Sequence, residues 1–208
     1  MPSDMAEYCR DVRADRKRRQ LEETEAYDSS TRPCCDWYLH SGNVHFARDR
    51  SAFNSYVPLD ATTLRSVAFD QTVGAVGIGH VELQVMVSPQ SHETRTLQLR
   101  DVFHIPNAPC NGLSDMEMGI EHGLTVSYGR PHWKMYSSEP EETPFCYGVT
   151  DRLSRLERAD GLSKSRVRDD TSTLFSISTA VDDDVKMACR EVYEAQSNGH
   201  CQETSARR

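Results

Sequence analysis

The residues with the most chemical potential are histidines, cysteines and glycines scattered through the middle of the chain. His40, Ser41 and Gly42 stand together, and His45 follows five residues after His40. With His104 these imidazoles raise the question of a metal site. A spacing of five across a glycine turn is not a recurrent ligand pattern, and no cysteine or carboxylate completes the set. No cofactor or metal ligand set is therefore expected. Seven cysteines are present, at Cys9, Cys34, Cys35, Cys110, Cys146, Cys189 and Cys201. Their number is odd and their spacing irregular, and no C-x-x-C pair occurs. A disulfide framework and a zinc ribbon are both disfavoured. Cys110 could be a nucleophile, but no His is tied to it by spacing, and a small residue packed beside the Pro109 turn is the simpler reading. Gly74, Gly77 and Gly79 invite comparison with a nucleotide loop. The spacing is not G-x-G-x-x-G, and a strand pattern follows instead of a helix. Arg16, Lys17, Arg18 and Arg19 form a basic run that could contact nucleic acid or serve nuclear import, but Glu22, Glu23 and Glu25 follow at once. A solvated helix with charge pairs three and four apart accounts for it.

These groups must be positioned by strands. Val81-Glu82-Leu83-Gln84-Val85 alternates with period two, as does Leu97-Gln98-Leu99, the mark of strands with one buried face. Trp37-Tyr38-Leu39 is a short strand closed by Ser41-Gly42-Asn43, and Val102 to Ile105 is another, ended by Pro106. Leu124–Tyr128, Gly129-Arg130-Pro131 and His132–Tyr136 read as a hairpin. Between them, Leu113–His122 suits one short helix with Met116 and Ile120 on one face and Gly123 as its stop. The expected fold is all-β, a small barrel with one short helix. Its inward residues are expected to be Leu39, Phe53, Val81, Leu83, Val85, Leu97, Leu99, Val102, Ile105, Leu124 and Val126.

Composition frames that barrel. The chain has 208 residues, 37% hydrophobic content, a mean hydropathy of -0.65 and a net charge of -8. So polar a chain suggests a folded middle with less ordered flanks. The expected division is a charged segment over 1–34, the barrel over 35–136, and an acidic linker and low-complexity or helical tail over 137–208. Residues 1–30 and 145–208 should share no core with the barrel, although Asp182–Gln196 suits an amphipathic helix through Val185, Cys189 and Val192. An acidic balance gives no general attraction to nucleic acid or anionic membrane. No apolar run approaches the ~18 residues of a membrane span, and the first residues lack a secretory pattern. A chain inside the cell, in cytoplasm or nucleus, is expected.

Three stretches, taken in order, resemble one family. Trp37-Tyr38-Leu39-His40-Ser41-Gly42-Asn43-Val44-His45, followed by Asp49-Arg50-Ser51-Ala52-Phe53, resembles the Copia-type opening W-x-x-D-S-G-A/S-x-x-H, then D-R-S-x-F. Val73 to Leu83 resembles a G-x-G-x-V-x-L hairpin. Leu97 to Ile105, through Pro106, Pro109-Cys110-Asn111-Gly112-Leu113-Ser114, resembles the family's V-F-H-I-P-x-x-P-C-N segment, and Gly123–Gly129 its closing strand. The resemblance is to the retropepsin-like, protease-like β-barrel of Copia-type retrotransposon Pol polyproteins, and it covers about half of the chain. It implies that Gly74, Gly77 and Gly79 belong to a flap-like hairpin. It also implies a two-fold dimeric site with one D-S/T-G carboxylate from each subunit.

Aspartic proteases need two carboxylates about 3 Å apart that share a proton across a water. Here the Asp position is His40, and the turn is one residue short. An imidazole offers one donor and one acceptor on opposite edges, not two coplanar oxygens. The expectation is therefore a catalytically degenerate turn at His40, Ser41 and Gly42, in a genomic relic or a domesticated binding module. A homodimer and a peptide or protein partner remain open. A working aspartic endopeptidase with an altered site, and a scaffold or nucleic-acid partner acting through the basic run, are the alternatives.

Overall fold

A computed structural model describes residues 33–66, 71–137, 143–170, 172, 175 and 177–205. The basic run Arg16–Arg19 lies outside the described residues, as does nearly all of the expected N-terminal segment. The described chain is a small all-β barrel. Its strands are β1 (Trp37–His40), β2 (Phe46–Ala47), β3 (Ser55–Ser66), β4 (Gln71–Met86), β5 (Thr94–His104), β6 (Asn111–Ser114), β7 (Leu124–Ser127), β8 (His132–Ser137), β9 (Cys146–Thr150), β10 (Ser154–Leu156) and β11 (Thr179–Ala180). Three α-helices accompany them among the described residues, α1 (Asp115–His122), α2 (Arg166–Asp169) and α3 (Asp183–Ser205), with a short 3-10 helix at Arg50–Ala52. The strands form one curled sheet in the order β11-β3-β4-β5-β2-β6-β1-β10-β9-β8-β7. Among the described residues no helix is long and apolar enough to cross a membrane.

The long strands follow the period-two rule. Val81, Leu83 and Val85 are buried on β4 while Glu82 and Gln84 face water, and Leu97 and Leu99 on β5 repeat the pattern around exposed Gln98. Antiparallel pairing of Val81 with Leu99 and of Leu83 with Leu97 brings these side chains together on one face. Of the residues expected to point inward, Val126 is the one left half-buried.

β1 is buried along its whole length. Alternation sends Trp37 and Leu39 into one core cluster, with Val81, Leu97, Trp133 and Met135, and Tyr38 into the other, with Val44, Phe46, Ile78 and Phe103. β1 runs parallel to β6, with Trp37 beside Asn111 and His40 beside Ser114. β2 wedges between β5 and β6, with Phe46 opposite both Phe103 and Gly112. Only a glycine fits there, because a β-carbon on residue 112 would lie 2.1 Å from the Phe46 ring. Gly112→Ala should therefore cost about 1–3 kcal/mol through overpacking. Urea unfolding checks this, and a change within 0.5 kcal/mol would mean that the Phe46 ring yields freely.

Two expectations need correction. The barrel does not end at Tyr136. β9 extends the sheet from β8, and β10 pairs with both β9 and β1, placing Arg155 opposite Tyr38. Cys146, Tyr147, Leu156, Val167, Ile177, Val181, Cys189 and Tyr193 are all buried, so the described part of 145–208 does share the core. Large apolar residues are sparse in this stretch, and Leu162, Met187 and Val192 stay exposed, but the buried ones pack into the barrel's core clusters, and that burial offsets the ordering of the loops between them.

The second correction concerns the helices. α1 begins at Asp115, since Leu113 and Ser114 finish β6, and it ends at Gly123 in the left-handed region (φ 62°). Met116 and Ile120 do share a face, but it is the water face, with Ile120 71% exposed, and Met118 is the residue buried against the barrel. On α3, Cys189 and Tyr193 make the buried stripe, Val185 packs beside it, and Val192 is turned outward.

Candidate functional site

The turn at the end of β1 lies against the end of β6 and the start of α1. Ser114 joins all three. Its hydroxyl donates to the Gly42 carbonyl at 2.5 Å and, as the helix N-cap, accepts from the Glu117 amide at 3.0 Å. Its own amide donates to His45 Nδ1 at 3.0 Å. Across the turn, the Gly42 amide donates to His40 Nδ1 at 3.0 Å. His40 and His45 are both buried, and Nε2 of each ring has no hydrogen-bond partner in the interior.

These contacts fix the protonation of both rings. A nitrogen that accepts a backbone N–H cannot carry a proton, so each neutral imidazole holds its proton on Nε2. Burial pulls His40 down to about 4, against the opposing effect of the Val44 backbone. Burial also holds His45 well below the ordinary histidine range, and the neighbouring His40, Lys186 and His122 push the same way. At neutral pH the turn thus presents uncharged rings whose basic nitrogens are already engaged. Neither ring can take a proton from a water at the turn without surrendering a backbone hydrogen bond.

The nearest acids in sequence serve other purposes. Asp36 is buried behind β1, where its two oxygens accept from Ser163 Oγ and Ser165 Oγ, each at 2.7 Å. Asp49 accepts from the Cys34 amide at 2.5 Å. Glu117 is tied to the turn through Ser114, whose hydroxyl its amide bonds. It pairs with Lys186 of α3 at 2.6 Å, and Lys186 also donates to the Asn43 carbonyl at 3.2 Å. Further along α1, burial and the charges of Asp101 and Glu117 raise Glu121 to about 7.

The remaining candidates separate. His104 stands apart from the other two imidazoles, bonded to the Arg48 carbonyl at 3.1 Å and the Tyr56 hydroxyl at 3.0 Å. Among the described residues no three His, Cys, Asp or Glu side chains are grouped to hold a metal ion. Cys110 is fully buried, and burial drives its thiol pKa well upward, with Cys34 adding to the effect. An inert packed thiol results. Gly74, Gly77 and Gly79 lie along β4 in the β3–β4 hairpin, opposite Thr63, Pro58 and Tyr56. The residues connecting those two strands, 67–70, lie outside the described set.

What the sequence reading missed is the cover over the turn. β11 pairs with the far end of β3, Thr179 opposite Ser66 and Ala180 opposite Arg65. Its backbone passes so close to Gly42 that a β-carbon there would lie 1.9 Å from the Thr179 carbonyl oxygen. The Asn43 amide reads both backbone groups of Val181, donating to its carbonyl and accepting from its amide, each at 2.8 Å. Ser114 could have been found from the Ser-x-x-Glu pattern it makes with Glu117. Ile177-Ser178-Thr179-Ala180-Val181 alternates as a strand should, but five residues in a polar stretch carry little weight alone.

The comparisons agree with this geometry over part of the chain. No curated protein matches the sequence, and no solved structure matches it. Residues 37–124, which run from β1 to the first residue of β7, match the family model described as Pol polyprotein, beta-barrel domain. β9 to β11 and α3 lie beyond the matched stretch. The match supports a Pol-polyprotein-type domain over β1–β6 and α1, the part of the barrel that carries the turn at His40.

Proposed function

We propose that the chain is a non-catalytic binding module derived from the protease-like barrel of a Copia-type retroelement. The observation that carries the reading is His40. It occupies the place where the resemblance calls for an aspartate, and its ring is buried, neutral at physiological pH and tied through Nδ1 to the Gly42 amide. Two such turns across a two-fold axis would bring together imidazoles whose free nitrogens both carry protons. They could not share one proton across a bridging water as a carboxylate pair does. No other acid takes the place, because Asp36 and Asp49 are engaged elsewhere and Glu117 is neutralised by Lys186. The cover of β11 over Gly42 supports the same reading, since a cleaving site must admit a scissile peptide there.

The test is direct. The purified full-length protein should cleave no member of a peptide library between pH 4 and 7 in a pepstatin-sensitive way. His40→Asp with a serine inserted after Gly42 would restore both the acid and the length of the turn, and a gain of cleavage in that variant alone fits decay from a protease. Cleavage by the parent that His40→Ala abolishes would overturn the proposal.

A further inference from the structure

We infer that residues 177–181 are a strap, an intramolecular ligand that occupies the turn at 40–43 and can leave it without unfolding the barrel. The inference rests on the reading of the barrel as a binding module and names what the turn binds in this chain. Four observations carry it.

First, the strap binds as a strand. Ile177, Thr179 and Val181 are buried, Ser178 and Ala180 only half so, and Thr179 and Ala180 add to the β3 edge. Second, the turn recognises it mainly through backbone. The Asn43 carboxamide takes both the N–H and the C=O of Val181, as a neighbouring strand would, and Gly42 admits the Thr179 backbone at a distance no side chain would permit. Between side chains, Ser41 Oγ meets Ser178 Oγ at 3.4 Å, long for a hydroxyl pair. Recognition by main chain selects an extended conformation and tolerates changes of sequence.

Third, the strap is latched by the helix that follows it. Lys186 bridges the Asn43 carbonyl and Glu117, and Arg190 donates to Asp101 through both Nε and Nη2. Strap and latch therefore hold the same turn from two sides. Fourth, the strap's ladder is short. β11 is two residues long and, among the described residues, pairs only with β3, whereas β4 and β5 pair along most of their length. Few ladder bonds place a segment toward the low end of local stability, even with Ile177 and Val181 seated in the core cluster.

When the strap is off, Gly42, Asn43 and the end of β3 form a surface for one extended segment, and the segment it fits is this chain's own. The test uses the full-length protein and a fluorescein-labelled peptide of residues 177–183. Val181→Pro removes the N–H that Asn43 accepts and should weaken the strap in place. The variant should bind the peptide at least tenfold more tightly than the parent, and adding Asn43→Ala should abolish the gain. A folded Val181→Pro protein that binds no better than the parent would overturn the inference. Hydrogen exchange on the parent decides the matter should that variant not fold. The amides of residues 177–181 and of α3 should exchange together, at least tenfold faster than those of Val81–Val85 and Leu97–Leu99. Exchange of the strap only through global unfolding would mean a permanent strand and no strap. Neither result bears on cleavage, so failure of the strap and failure of the non-catalytic reading are told apart by different assays.

Discussion

Lys186→Met should lower the unfolding free energy by about 3–5 kcal/mol, the cost of leaving a buried charge without its partner. The Lys186 and Glu117 side chains are only 14% and 6% exposed, and their charged atoms stand 2.6 Å apart. Glu117 is fixed in place, since it lies in the first turn of α1 and its amide is capped by Ser114. Removing the lysine strands a carboxylate whose side chain is almost shut off from water. It also removes the donor to the Asn43 carbonyl. The methionine keeps most of the side-chain volume, so the loss reports charge more than packing. Adding Glu117→Gln should recover most of the stability, because the neutral amide no longer needs a counter-charge. Urea unfolding of the two single variants and the double variant at pH 7 forms the cycle that isolates the pair. Arg190→Met makes a useful contrast. The Arg190 side chain is 46% exposed, so water takes over part of its role beside Asp101 and the loss should be smaller. A loss below 1 kcal/mol for Lys186→Met would show that Glu117 is solvated after all.

The sequence disclosed what is local. Alternation placed Val81–Val85 and Leu97–Leu99 as strands with their inner faces assigned, Gly123 marked the stop of α1, and the hairpin over β7 and β8 followed from its turn. His40-Ser41-Gly42 pointed to the turn that lies at the centre of the candidate site. The long-range pairings were hidden. Parallel pairing of β1 with β6 joins residues 74 apart in sequence, Trp37 with Asn111, and leaves no periodic trace. The insertion of β10 beside β1 rests on three residues, Ser154–Leu156, in a stretch dense with charge. The same holds for the strap. Two residues of ladder are too few for a pattern, and the fit of Thr179 over Gly42 depends on the shape of a turn 137 residues earlier. Lys186 was legible as a charge on an amphipathic helix, but its partner on α1 was not, because pairing across elements is set by how the elements pack and not by spacing along the chain.

His40 should make the protein sensitive to mild acid, and His40→Gln should remove much of that sensitivity. In the folded state burial lowers the histidine from 6.5 to about 4. The unfolded chain takes up a proton at the ordinary histidine value, so below pH 6.5 it is favoured progressively over a folded state that stays neutral. The stability contributed by neutral His40 is present in full above pH 6.5 and is lost as the pH falls to about 4. At 1.36 kcal/mol per pH unit the loss is about 3 kcal/mol. His45, depressed in the same direction, adds to it. Glu121 works the other way. Its folded value is raised to about 7, so its contribution is present below the unfolded carboxylate range and disappears as the pH rises through 7. The two effects fall in overlapping windows, which is why the comparison must be made between variants and not along one curve. Glutamine keeps an oxygen able to accept from the Gly42 amide but takes no proton between pH 4 and 7. Urea midpoints at pH 6.5, 5 and 4 should converge less steeply for His40→Gln, with the loss across that range smaller than the parent's by about 3 kcal/mol. Equal losses in parent and variant would mean that His40 is protonated in the fold at mild acid. That in turn would require its Nδ1 to release the Gly42 amide and the turn to open, which is the one movement that would give the ring a free base nitrogen.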